Sequence, residues 1–134
     1  MSRLLILSLL VTVVCGCSDD TQIDVAVGPV TTNPVTPVVN QPILLTAEID
    51  NRSGSYSSQT VAAVVVDGVV VVRVPVDAIA GGGSRQVSTS FSIPTTGAHS
   101  VSVIIDPDQS TSDPDRNNNI STFSLIVGVA PSVG

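Results

Sequence analysis

Apolar residues recur at every second position along most of the chain, and β-branched side chains dominate among them. That period belongs to half-buried strands, not to helices. The segment ILLTAEID puts Ile43, Leu45, Ala47 and Ile49 on one face. QVSTSFSIP puts Val87, Thr89, Phe91 and Ile93 opposite Ser88, Ser90 and Ser92. HSVSVIID sets Val101, Val103 and Ile105 against Ser100 and Ser102, and STFSLIVG aligns Phe123, Leu125 and Val127. Each strand has one dry and one wet face, as two packed sheets require.

One stretch breaks the alternation. In TVAAVVVDGVVVVRV, Asp67-Gly68 is a strong signal for a two-residue hairpin turn, because both central residues need positive φ. Simple pairing across that turn places Val64, Val66, Val69 and Val71 on one side and Val65, Val70 and Val72 on the other. Whichever side meets the core, the opposite side leaves valines outside. They are either covered by the N-terminal segment or a loop, or they form a protein contact surface. The candidate interaction surface is Val64, Val66, Val69 and Val71.

Turn signals punctuate the rest. Asn51-Arg52-Ser53-Gly54, Gly81-Gly82-Gly83 and Pro94-Thr95-Thr96-Gly97 fall where strands must reverse. Four prolines in the sixteen residues VGPVTTNPVTPVVNQP exclude a helix there and predict an extended edge strand at Ile23 to Val27, then an irregular crossing into Ile43. About seven strands spaced roughly ten residues apart predict an all-β, immunoglobulin-like antiparallel β-sandwich. Spacing alone does not separate it from a barrel or jelly roll.

Composition narrows the function. With 134 residues the chain has room for one ordinary domain. Aromatics are 2% and charged residues 12%; five Arg, no Lys and a net charge of −6 oppose binding to phosphate backbones, so no nucleic-acid partner is expected. At the N-terminus, MSRLLILSLLVTVVCGC has Arg3 ahead of an apolar run from Leu4 to Val14. That run is too short for a bilayer, which needs about 20 residues, and suits a secretory signal. Val14-Cys15-Gly16-Cys17 resembles a bacterial lipobox, with Cys17 as the acylated residue; an ordinary cleaved signal is the alternative. Acylation at Cys17 leaves no free thiol for a disulfide, so burial must stabilise the domain. By resemblance to Gram-negative lipoproteins, Ser18 implies outer-membrane sorting, although Asp19 and Asp20 weaken that reading.

The most polar stretch, DPDQSTSDPDRNNN, begins at Asp106 and holds four of the eleven acidic residues. Asp113, Asp115, Asn117 and Asn119 put oxygens at alternate positions, as the start of a calcium loop does. Against calcium, Asn118 stands where such a loop needs Gly, and the closing acidic position falls on Ser124. Asp and Asn also fold loops by bonding to nearby amides, and Pro107 and Pro114 stiffen this one. The expected role is therefore a self-bonded strand connection, with calcium as the competing cofactor. His99 is the single histidine and is expected to be packed and hydrogen-bonded. No nucleophile elbow, Cys/His cluster or aromatic sugar platform is present, so no enzyme is expected.

In order, NRSG, VVVDGVVVV, AGGGSRQVSTSF, GAHSVSVIIDPD and DPDRNNN resemble the CARDB domain, the cell-adhesion-related domain found in bacteria. The resemblance spans about Ile23 to Gly128, with Gly97-x-His99-x-Val101-x-Val103-x-Ile105-Asp106-Pro107-Asp108 as its most specific piece. Family members tend to carry Glu where Asp113 stands, and the family's Asn pair falls on Asn118-Asn119. The departures are an extra residue in Asn51-Arg52-Ser53-Gly54 and Val65 in place of an aromatic. The resemblance implies a sandwich with a role in adhesion. The expected organisation is a signal peptide at residues 1–16, a lipidated tether at 17–22, the sandwich at 23–128 and a tail at 129–134. The expected function is noncatalytic contact with protein or glycan at the bacterial cell envelope, anchored in the membrane through its lipid. A calcium-dependent envelope module and an accessory subunit for an envelope enzyme or transporter are the alternatives.

Overall fold

The structure is a computed structural model that describes residues 23–109, 113 and 116–131. The signal and tether, including Cys17, and Asp115 of the acidic stretch lie outside the described residues. Seven strands form: β1 (Val25–Asn33), β2 (Ile43–Asn51), β3 (Thr60–Val66), β4 (Val69–Val76), β5 (Ser84–Phe91), β6 (Gly97–Ile105) and β7 (Ile120–Val127). They make two antiparallel sheets, ordered β1-β2-β5 and β4-β3-β6-β7, which pack as an immunoglobulin-like sandwich.

The predicted dry faces meet between the sheets. Ile43, Leu45, Ala47 and Ile49 of β2, Phe91 and Ile93 at the end of β5, and Val101, Val103 and Ile105 of β6 are all buried. Leu125 and Val127 complete the interior from β7, and Phe123 packs half-buried against them. Strand β1 lies at an edge, where Pro29 is tolerated, but runs to Asn33, beyond the expected end at Val27; a bulge between Val27 and Val30 absorbs Gly28 and Pro29.

The valine run needs a correction. The β3–β4 register is Val66 with Val69, Val65 with Val70, then Val64 with Val72. Val71 is thus the extra residue of a β-bulge, and Val72 takes the core-facing place that simple pairing assigns to Val71. Val64 and Val66 belong to the core, at 2% and 8% exposure, and are not surface residues. The reason is topological. Strand β3 lies inside its sheet between β4 and β6, so even its outward-facing Ala63 is enclosed by the flanking Arg73 and Ile104.

Candidate functional site

The exposed apolar surface left by that bulge sits at the β3–β4 tip. Asp67 and Gly68 form the turn, with φ of 50° and 86°, the two positive values a tight hairpin needs. Immediately after it, Val69, Val70 and Val71 are 63%, 47% and 42% exposed. Beside them lies a recess of about 330 Å³, walled by Val66, Val69, Val71, Ile93 and Pro94, with His99 at its polar side.

A hydrogen-bond pin fixes the tip to the next strand. The Asp67 amide donates to the Ser100 carbonyl (2.8 Å), and the Ser100 amide donates to Asp67 Oδ1 (2.9 Å). His99 Nδ1 donates to Asp67 Oδ2 at 2.5 Å, and His99 Nε2 donates to the Thr95 carbonyl at 2.9 Å. Both ring nitrogens face acceptors, an arrangement that favours the protonated ring. The bond to Asp67, then that to Thr95, raises the His99 pKa against the opposing effect of burial. The His99 bond, then the Ser100 amide, lowers that of Asp67. Thr95 Oγ1 stands 3.3 Å from Nε2, but the ring proton is directed to the Thr95 carbonyl, so the hydroxyl is not aligned as an activated nucleophile.

His99 is packed and bonded as expected. Its partners escaped the sequence reading. Asp67 read only as a turn former and Thr95 as part of a loop; the β3–β6 pairing that brings Asp67 to His99 leaves no local sequence signal, whereas Thr95 lies only four residues before the ring.

The acidic stretch lies at the other end of the sandwich. Asp106 is buried, accepts from Thr60 Oγ1 and Arg116 Nη1 (both 3.0 Å), and its amide donates to the Val61 carbonyl. Asp113 Oδ2 accepts from the Val25 amide (3.1 Å), and Asn118 Nδ2 donates to Asp24 Oδ1 (3.0 Å). Residues Arg116–Asn119 form a 3-10 turn that leaves Asn117 exposed and Asn119 buried. Of the alternating oxygens, Asp113 is bonded to β1, Asn117 is exposed and Asn119 is buried; Asp115 lies outside the described residues. Among the described residues, no three His, Cys, Asp or Glu side chains gather as a metal-binding group. The stretch bonds to β1 and β3, a wider set of partners than the self-bonded connection expected.

The comparisons with known proteins match this architecture. A family model described as CARDB matches residues 22–123. No curated protein matches the chain. The CARDB domain of the PF1109 protein from Pyrococcus furiosus is similar in a crystal structure in complex with di-metal ions: TM-score 0.69, 18% identity, 79% of this chain and 89% of that one. Its solution structure gives a TM-score of 0.71 at 17% identity, over 81% and 98% of the two chains. A domain from Methanosarcina acetivorans, in a protein provisionally described as a cell-surface protein, is 27% identical, with a TM-score of 0.64 over 83% and 95%.

Proposed function

This chain belongs to the CARDB family, matched over residues 22–123, and on that premise we propose that it is a noncatalytic binding module of the bacterial cell envelope. An acylated Cys17 tethers it to the membrane, and the hairpin tip contacts its partner. The observation that carries this reading is the run of exposed valines at Val69, Val70 and Val71 beside an apolar recess. Contiguous apolar surface of this kind marks interaction sites. Valine walls without an aromatic platform suit an apolar protein segment better than a sugar ring.

The placement of the tip supports the same reading. Strand β1 starts beside the acidic stretch, which follows the C-terminal end of β6, whereas the tip is pinned to Ser100 near the start of β6. At about 3.4 Å per residue the two sites are roughly 20 Å apart along β6. A tether entering at Ile23 therefore holds the tip away from the bilayer and toward other envelope components. The Methanosarcina relative, described as a cell-surface protein, is consistent with such a location.

The test is in-cell crosslinking of the full chain against a Val69→Asp/Val71→Asp variant. The variant is expected to keep its melting midpoint, because both side chains are exposed, and to lose its crosslinked partner. A folded variant with an unchanged set of crosslinked partners overturns the reading.

A further inference from the structure

The four sheet edges of this sandwich are not alike. Edge strand β1 carries a bulge with Gly28 and Pro29, β4 carries a bulge at Val71 together with Arg73 and Pro75, and β5 carries Arg85. Bulges, prolines and charges are the devices that stop an edge from recruiting another strand. Strand β7, ISTFSLIV, has none of them: it is uncharged, proline-free and paired to β6 in unbroken register from Ile120 to Val127. No strand among the described residues pairs with its other edge. Among the described residues, the backbone bonds on that side are those of Gly128 with Pro37 and Val39, just past the end of the strand. Alongside Phe123 and Leu125 lies an unfilled groove of about 360 Å³, bounded by Val30 and Val35.

Two large apolar side chains on this strand stay exposed beside their β6 neighbours: Ile120, opposite Ile104, at 45%, and Ile126, opposite Ala98, at 56%. Directly opposite residues of an antiparallel pair share a face, so β7 can meet a second β7 only in registers that match outward with outward positions. The register centred on Phe123 does so. It sets Ile120 opposite Ile126 of the second copy and Thr122 opposite Ser124, with no charge facing another. It uses Ile120 to Ile126 and stops short of the capped Gly128. Of the two neighbouring matched registers, the one centred on Ser124 would need Gly128 itself and set each isoleucine against Thr122 or glycine, and the one centred on Thr122 would set Ile120 against Ser124 and Ile126 against Asn118, outside the strand.

We propose that two copies of this chain pair antiparallel through β7 about a two-fold axis at Phe123, joining their four-stranded sheets into one of eight strands. The pairing consumes the unguarded edge on both copies. The other edges carry blocking devices, so assembly closes at the dimer. This interface is separate from the hairpin tip and stands or falls independently of it.

Register-specific disulfide trapping tests the proposal. Full chains carrying Thr122→Cys and Ser124→Cys, with different tags, are co-expressed and oxidised, with the unaltered chain as blank. In the proposed register, residues 122 and 124 of the two copies lie within disulfide reach. Two copies of residue 122 lie about 8 Å apart on the diagonal, too far to bridge without backbone movement. The mixed pair is expected to form disulfide dimer at least about tenfold faster than either variant alone. A Thr122→Lys/Ser124→Lys variant, which opposes like charges, is expected to migrate as monomer with its strand signal by circular dichroism kept and its melting midpoint no longer dependent on concentration. Equal trapping in mixed and single samples, trapping to a chain of another mass, or a folded double-lysine variant that stays dimeric would each overturn the proposal.

Discussion

The His99–Asp67 pair gives this fold a stability that depends on pH, with a sign that follows from the two shifts. The His99 pKa is raised in the folded chain, so its contribution is complete below the ordinary imidazole value of 6.5 and is lost as pH rises through the folded value. The Asp67 pKa is lowered, so its contribution is present above the ordinary carboxyl value of 3.8 and is lost as pH falls through the folded value. The pair therefore stabilises most between those ordinary values. Thermal melts from pH 5 to 9 should show the midpoint falling on the alkaline side, and His99→Gln should flatten that decline. An alkaline limb of equal slope in the variant would show that the ring does not carry it. At this scale the sequence was partly legible. His99 read as packed from its strand position, but its raised pKa owes most to Asp67, 32 residues away, which only the assembled fold brings near. Likewise Asn51 read as a turn former, yet it is buried, and its amide donates to the Ser55 and Ile79 carbonyls, both at 2.7 Å. Gly81 read as turn flexibility; a Cβ there would lie 2.5 Å from the Gly54 carbonyl carbon, so glycine is required by close backbone approach.

Among the elements, period-two patterning identified the buried faces because a strand with one wet side repeats its choice at every second residue. It failed at β3–β4, where a bulge adds a residue and no residue type announces it. The acidic connection was legible as a strand connection but not in its partners: the backbone turns at Arg116–Asn119, and Asp113 is tied to Val25 across the fold. The consequence is measurable. Asp113→Ala should cost about 1 kcal/mol, the net worth of one such hydrogen bond. The cost should be the same in calcium and in EDTA, and the unaltered chain should melt at one midpoint in both. A midpoint raised by calcium in the unaltered chain, and not in Asp113→Ala, would mean that this carboxylate leaves Val25 to bind the ion.

For the whole molecule, the arrangement of ends decides what anchoring would do. From Cys17 to Ile23 the chain spans at most about 20 Å, since an extended residue covers roughly 3.5 Å. A lipid on Cys17 would hold the β1 end of the sandwich close to the bilayer, with the valine tip directed outward. Apart from such an anchor, the composition offers little attraction to anionic headgroups: lysine is absent, the full chain carries a net charge of −6, and the exposed valines lie at the far end. Membrane retention should therefore depend on the acylated residue almost entirely. Cys17→Ser is expected to move the processed chain from the membrane pellet to the soluble fraction of fractionated cells, with its fold unchanged by circular dichroism. If the processed variant pellets as strongly as the unaltered chain after a carbonate wash, another part of the molecule holds the membrane. The outward orientation of the tip would then lose its basis, because the anchored end would no longer be the one where β1 begins.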